Sequence, residues 1–301
     1  MAKDLIIGAV SNYDWDKIKY WINSIKKSGY SGDIAIVGTN LKRETLEKLA
    51  ENNVDLLLYG KKNENGDYEA LNNGAPHVER FFYLWNYLKN TKEDYHFVIT
   101  TDVRDVIFQR DPTEVLKNLI HPGINNNIVV SSEGMRYKDE PWNSRNMNEA
   151  FGPFFHAHMK DELIYNVGVI AGLAPYVKDM MLMIFQMSIN RPIPIVDQAV
   201  FNFLIQHEPY KETTAFTDNS HAWAAQLGTT YEAVKSGSGD IGLNFGSDPS
   251  KLMIYQMQYV DEQPKLNEDG LVVNDLNEPF AIVHQYDRTK DWYDKIVARY
   301  Q

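Results

Sequence analysis

Cysteine is absent from all 301 residues, which excludes disulfides and thiolate chemistry and suits a reducing cytosol. No apolar run approaches the roughly 18 residues that a membrane-spanning helix requires. The opening stretch MAKDLIIGAV is too briefly apolar, and meets an acid too early, for a secretory signal, so a cytoplasmic protein is expected. Positive charge is scarce. The formal net charge of −11 argues against nucleic acid as a partner, because phosphate backbones require a basic face, although a local basic pocket for a diphosphate stays compatible. Glycine-rich phosphate loops are missing too. The first strand-to-helix turn reads GAVSNYD at residues 8–14, without the G-x-G-x-x-G of dinucleotide oxidoreductases. It also lacks the glycine-rich basic loop of a sugar-1-phosphate nucleotidyltransferase, and the G-x-x-x-x-G-K-[ST] of P-loop phosphotransferases occurs nowhere.

What is present is an alternation of strand and helix signals. A chain that is 44% hydrophobic buries a sizeable core, and no repeat, low-complexity tract or linker divides it. Strands are expected at Leu5–Val10, Ile34–Val37, Val54–Tyr59, residues 95–101 and Ile128–Ser131. Helices are expected at Asp14–Lys27, with Ile18, Trp21, Ile22 and Ile25 on one face, and at Lys42–Glu51, His77–Leu88 and Thr113–Leu119. Residues 60–75 read as an exposed loop. This order predicts a mainly parallel sheet with helices on both faces. The second half is less regular. Leu163–Ala171, Leu252–Val260 and Phe280–Val283 read as strands, and Val177–Ser188, Val196–Gln206 and Asp291–Arg299 as helices. Residues 133–160 and 218–250 read as long loops, and such stretches inside a compact domain are usually functional or mobile.

The most informative segment is YHFVITTDVRDVIFQRDP, residues 95–112. A buried strand there delivers Asp102, and three residues later Asp105, to the sheet edge where open α/β folds bind ligands. Two acids so placed reach one hard divalent cation, which also accepts phosphate oxygens; alternatively they cap a turn before the helix near Pro112. Three further signals follow in order. They are Asn166-Val-Gly168 on a strand, Asp197-Gln198 at a helix start, and HQYDRTKDW from His284 to Trp292.

With these four in place the chain resembles the metal-dependent GT-A glycosyltransferases, and most closely the retaining family 8, the glycogenin-like and galactosyltransferase-like group. That family carries a DxD motif, an N-x-G strand, a DQ helix and a late HxxGxxKPW motif. Here the DxD is stretched to D-x-x-D with Arg104 inside it, and the late motif has Asp287 for Gly and Asp291 for Pro. The resemblance implies one GT-A-like, Rossmann-type domain over residues 1–301, with a nucleotide-binding half (1–131) and an acceptor-side half (132–301) ending in the metal and diphosphate motif.

It also implies Mn²⁺ or Mg²⁺ held by Asp102, Asp105 and His284, since Mn²⁺ accepts imidazole beside carboxylate. Asp102 has a second option, a hydrogen bond to the donor ribose. The implied donor contacts are Asn12, Tyr13, Arg80, Asp102, Arg288 and Lys290, and the implied catalytic set is Asp197, Gln198 and Asn166. Several of these residues have a plainer alternative. Asn12 and Tyr13 make an ordinary turn into the helix at Asp14, Arg80 is a solvated helix residue, Asp197 caps its own helix, and His284 is structural. The implied donor is a nucleotide diphosphate sugar, UDP being the family expectation. The acceptor is a glycan, lipid, protein or small molecule. Aromatic side chains in 133–160 and Trp223 offer faces for acceptor sugars, or form a small core of their own loops. A non-catalytic carbohydrate-binding protein on a decayed transferase is the competing class, because D-x-x-D is irregular.

Overall fold

A computed structural model of the chain describes residues 2–71, 74–191, 193, 195–239, 250, 253, 255–257 and 263–301. The first strands are β1 (Lys3–Ser11), β2 (Asp33–Thr39) and β3 (Asp55–Leu58), linked by helices α1 (Trp15–Lys27) and α2 (Arg43–Glu51). The Asp14 side chain caps α1 by accepting from the Lys17 backbone N–H at 3.2 Å, and Ile18, Trp21, Ile22 and Ile25 form its buried stripe. Residues 60–75 are not all loop: β4 (Lys61–Lys62) and β5 (Tyr68–Glu69) close a short antiparallel hairpin within them.

Helix α3 (Pro76–Asn90) leads to β6 (Tyr95–Thr101), then β7 (Val106–Phe108), α4 (Pro112–Leu119) and β8 (Ile128–Arg136). The stretch expected to be irregular then carries α5 (Pro141–Phe151) and α6 (Pro153–Met159), each opened by a proline, before β9 (Leu163–Leu173). Helices α7 (Ala174–Ser188) and α8 (Asp197–Ile205) follow, then β10 (Thr214–Thr217), β11 (Ala224–Gln226) and α9 (Tyr231–Lys235). Last come β12 (Lys265–Leu266), β13 (Val272–Val273), β14 (Ile282–His284) and the C-terminal helix α10 (Lys290–Val297). The strand expected over 252–260 falls mostly outside the described residues, and 253 and 255–257 are helical.

The central sheet has seven strands in the order β10-β8-β9-β6-β1-β2-β3. It is mainly parallel, as expected, with β9 running antiparallel to both β6 and β8. Strand β1 shows why the segments read as near-continuous apolar runs. Leu5 and Ile7 enter a core covered by α3, α5, α7 and α8, whereas Ile6 enters the opposite core under α1, α2 and α4, so both faces are buried. A second sheet, β11-β14-β7, packs at the carboxyl end of β6. Among the described residues no helix is long and apolar enough to cross a membrane.

This topology positions the site. The chain steps from β1 outward to β2 and β3, then returns to place β6 on the other side of β1. The carboxyl ends of β1 and β6 therefore flank a topological switch point, where helices diverge and leave a crevice. Asn12 follows one of these ends and Asp102 the other.

Candidate metal and nucleotide site

Asp102 and Asp105 lie in the turn from β6 to β7, and His284 ends β14, paired in register with Val106. Three contacts hold that turn: Asp102 N–H donates to the Gly168 carbonyl at 2.8 Å, Gln285 N–H to the Asp105 carbonyl at 2.7 Å, and Trp21 Nε1–H to Thr101 Oγ1 at 2.8 Å. His284 Nε2 then stands 3.6 Å from Asp102 Oδ2 and 3.8 Å from Asp105 Oδ1. One ligand atom from each of the three residues lies within 4.8 Å of the others.

The donor set fits a divalent cation. Ligands each about 2.2 Å from an octahedral ion sit about 3–4.4 Å apart, which matches the His284 spacings without rearrangement. Each carboxylate gives one oxygen to a guanidinium and turns the other towards His284. Asp102 Oδ1 accepts from Arg80, and Asp105 Oδ2 accepts from Arg104 Nη2 at 2.9 Å. His284 Nδ1 faces Gln226 Oε1 at 2.7 Å, and Gln226 Nε2 donates to Ser131 Oγ at 2.6 Å. With the amide so oriented Nδ1 donates to it, and once Nε2 gives up its proton its lone pair is free for a metal. An imidazole beside two carboxylates favours Mn²⁺ over Mg²⁺.

Charge points the same way. Asp102, Asp105, Asp197 and Asp287 face the guanidinium groups of Arg80, Arg104 and Arg288, so four carboxylates meet three cations. Burial opposes ionisation of Asp102, yet Arg80 and then His284 outweigh it and hold its carboxyl well below the usual carboxylate range. Asp287 moves the other way: burial first, and Asp105 next, push it up.

Arg80 is not solvated. Its side chain is 18% exposed and forks between Asp102 and Asp197, donating to Asp197 Oδ2 at 2.9 Å. Asp197 is 3% exposed, and it does not cap its own helix; Val196 occupies that position. Asp197 Oδ1 has no hydrogen-bond partner among the described residues. Gln198 and Asn166 converge on Glu133 of β8, at 3.0 and 2.7 Å to its Oε1. Gln198 also donates to Asn143 and accepts from the Val167 N–H, which occupies both of its N–H donors and one lone pair of its oxygen.

A cleft of about 390 Å³ opens beside the cluster, lined by Asn12, Tyr13, Arg80, Asp102, Arg104 and Asp105 among others. Asn12 adopts a left-handed φ of 58°, which Asn tolerates better than most residues. Tyr13 is partly buried in the cleft, and burial, then the Asp102 charge, raise its phenol, so it stays protonated. Arg288 reaches the cluster through Asp287 at 3.6 Å. Lys290 opens α10, exposed and without an ion pair among the described residues.

The structure thus brings together Asp102, Asp105, His284, Arg80, Asp197, Asn12 and Tyr13, with Asn166 and Gln198 one layer deeper. Trp223, expected as a possible sugar platform, is fully buried in the core. Of the aromatics near 133–160, Phe151 and Phe155 pack on Phe203 at 4.5 and 4.8 Å, whereas Phe154 is 94% exposed. Glu133 and Gln226 were not evident from sequence. Neither sits at a motif spacing, and Glu133 follows Ser131 and Ser132 in its strand, so nothing local marks it as buried.

Gly168 has a specific reason to lack a side chain. A Cβ there would overlap His284 Cε1 and lie 2.9 Å from Asn166 Oδ1 and 3.0 Å from Asp102 Oδ2. Gly168→Ala is therefore expected to weaken Mn²⁺ binding about tenfold by displacing the imidazole, measured by Mn²⁺ electron paramagnetic resonance. Unchanged binding would show that His284 is not a ligand.

Searches against protein-family models and against curated proteins returned no match.

Proposed function

We propose that this chain is a metal-dependent glycosyltransferase that moves a hexosyl or pentosyl group from a nucleotide diphosphate sugar, with UDP the expected carrier, to an acceptor hydroxyl. One observation carries the reading: two carboxylates and an imidazole spaced for a cation, beside a cleft at the switch point of a mainly parallel sheet. A cytoplasmic setting belongs to the same reading, since the chain has no cysteine.

In this reading Asp102, Asp105 and His284 would hold Mn²⁺, which when bound would neutralise charge on the diphosphate. Arg288 and Lys290 add positive charge on the same side. Asn12 and Tyr13 border the base and ribose. Asp197 Oδ1, buried with no partner among the described residues, accepts from a donor-sugar hydroxyl and orients the anomeric carbon. Arg80 holds Asp197 and Asp102 in place. Glu133 fixes Asn166 and Gln198, so these two shape the wall of the sugar site. Transfer proceeds with retention: the bond from C1 to the diphosphate breaks, the acceptor oxygen joins C1 on the same face, and its proton passes to the departing phosphate oxygen.

The fully used N–H donors of Gln198 favour a second reading, a non-catalytic binder of nucleotide sugars on the same fold. A panel of nucleotide sugars incubated with Mn²⁺ and no acceptor separates the two. Slow metal-dependent release of UDP from one donor is expected, and anomeric proton couplings of the product then report retention. Binding without release throughout the panel would favour the second reading.

A further inference from the structure

A second cavity, of about 560 Å³, lies between the start of α3 and the end of α7. Its walls are chiefly aromatic and aliphatic: Phe82 and Phe185, with ring centroids 5.2 Å apart, and Ile189 and Ile193. The volume falls within the range of small-molecule sites. Two features distinguish it from a bare apolar face. Glu79 and Tyr83, joined by a 3.1 Å hydrogen bond from the phenol to Oε2, line both this groove and the nucleotide cleft, so the two cavities share a wall and lie side by side. Ser188 also lines the groove; it is 2% exposed, and its hydroxyl has no hydrogen-bond partner among the described residues.

A serine in the last turn of a helix ordinarily bonds back to a carbonyl one turn earlier. Ser188 does not, and a buried hydroxyl left unpaired destabilises the fold unless a ligand satisfies it. The segment that follows α7 also leads directly into Asp197, tying the groove to the proposed sugar site.

We infer that this groove is the acceptor subsite, and that it takes the apolar part of an acceptor, an aryl or short alkyl aglycone carrying an oxygen that bonds Ser188. The inference rests on the glycosyltransferase reading for the word acceptor. The groove itself stands on Ser188 and the aromatic walls. In this arrangement the aglycone stacks against the groove side of the Phe82–Phe185 pair, and the reacting hydroxyl enters the cleft over Glu79 and Tyr83.

The test uses the full chain and two probes, 4-hydroxyphenyl β-glucoside and methyl β-glucoside, titrated calorimetrically with Mn²⁺ and UDP present. The aryl glycoside is expected to bind about tenfold more tightly, from the apolar area it buries. Ile189→Trp, at an exposed rim position that lines only the groove, should erase that preference while leaving donor hydrolysis unchanged. Ser188→Ala should weaken the aryl probe severalfold and leave thermal stability equal or higher, an outcome that a purely structural serine would not give. No preference for the aryl probe, or a preference that survives both substitutions, overturns the groove. The expected binding pattern with no donor hydrolysis on any nucleotide sugar keeps the ligand site but overturns its acceptor role together with the proposed activity.

Discussion

Mn²⁺ and UDP together should raise the melting temperature of the wild-type chain, and Asp105→Ala should remove that rise. A ligand that binds only the folded state at about a hundred times its dissociation constant stabilises it by about 2.7 kcal/mol, or roughly 5 °C for a chain of this size. Asp105 is the informative ligand because its loss costs the apo fold little. Its carboxylate pairs with Arg104, which is 45% exposed, and partly solvated pairs contribute about 1 kcal/mol or less. Removing Asp105 also frees Arg104 to pair with Asp287, already 3.5 Å away. A variant that folds like wild type yet shows no shift with Mn²⁺ and UDP locates the metal. A shift that survives in Asp105→Ala would show that the cation, if bound, sits elsewhere. Asp105→Asn sharpens the comparison, because it keeps shape and one neutral oxygen while removing the charge that a hard cation requires.

The parts of this site differ in how plainly they can be read from the chain. Asp102 and Asp105 announce themselves because the strand before them is buried on both faces and so reads as an unbroken apolar run. Its end is therefore visible, and with it the ligand edge of the sheet. His284 is reached by a strand of only three residues, as is Gln226, and three residues carry no period to recognise. Their placement depends on β11 and β14 pairing beside β7, a long-range contact that local pattern does not encode. The helices α5 and α6 were hidden because polar residues dilute their periodicity. Pro141 and Pro153 at their starts, with Glu140 capping α5, were the available signals. Glu133 is the hardest case. An acid is expected on a solvent face, and only the converging amides of Asn166 and Gln198 make its burial tolerable. Arg80 lies between these extremes. Its helix was plain from the spacing of Phe81, Leu84 and Leu88, but its two carboxylate partners come from residues 22 and 117 positions away.

Arg80→Ala is expected to be the most damaging single substitution in the site. Arg80 is the only described cation paired with either Asp102 or Asp197, apart from His284 beside Asp102. Truncating it leaves a 3%-exposed carboxylate with no counter-charge among the described residues, and removing one partner of a buried pair costs about 3 kcal/mol. Arg80→Lys should recover only part of this, since one ammonium does not fork between two acids. The sign of the pH dependence follows from Asp102. In the wild type its folded pKa is depressed, so its contribution is present above the ordinary value of about 3.9 and is lost as pH falls below it. In Arg80→Ala the first cause of that depression is gone and only His284 is left to oppose burial, so Asp102 holds its proton to higher pH. Its contribution then declines as pH rises. The gap in stability between wild type and variant should therefore widen from pH 4.5 to pH 7, as read by urea denaturation at the two values. A gap that is constant, or that narrows, would mean that Arg80 acts through packing on α3 and not as the counter-ion of the site. The same variant should lose Mn²⁺ affinity, because Arg80 no longer holds the Asp102 carboxylate in place.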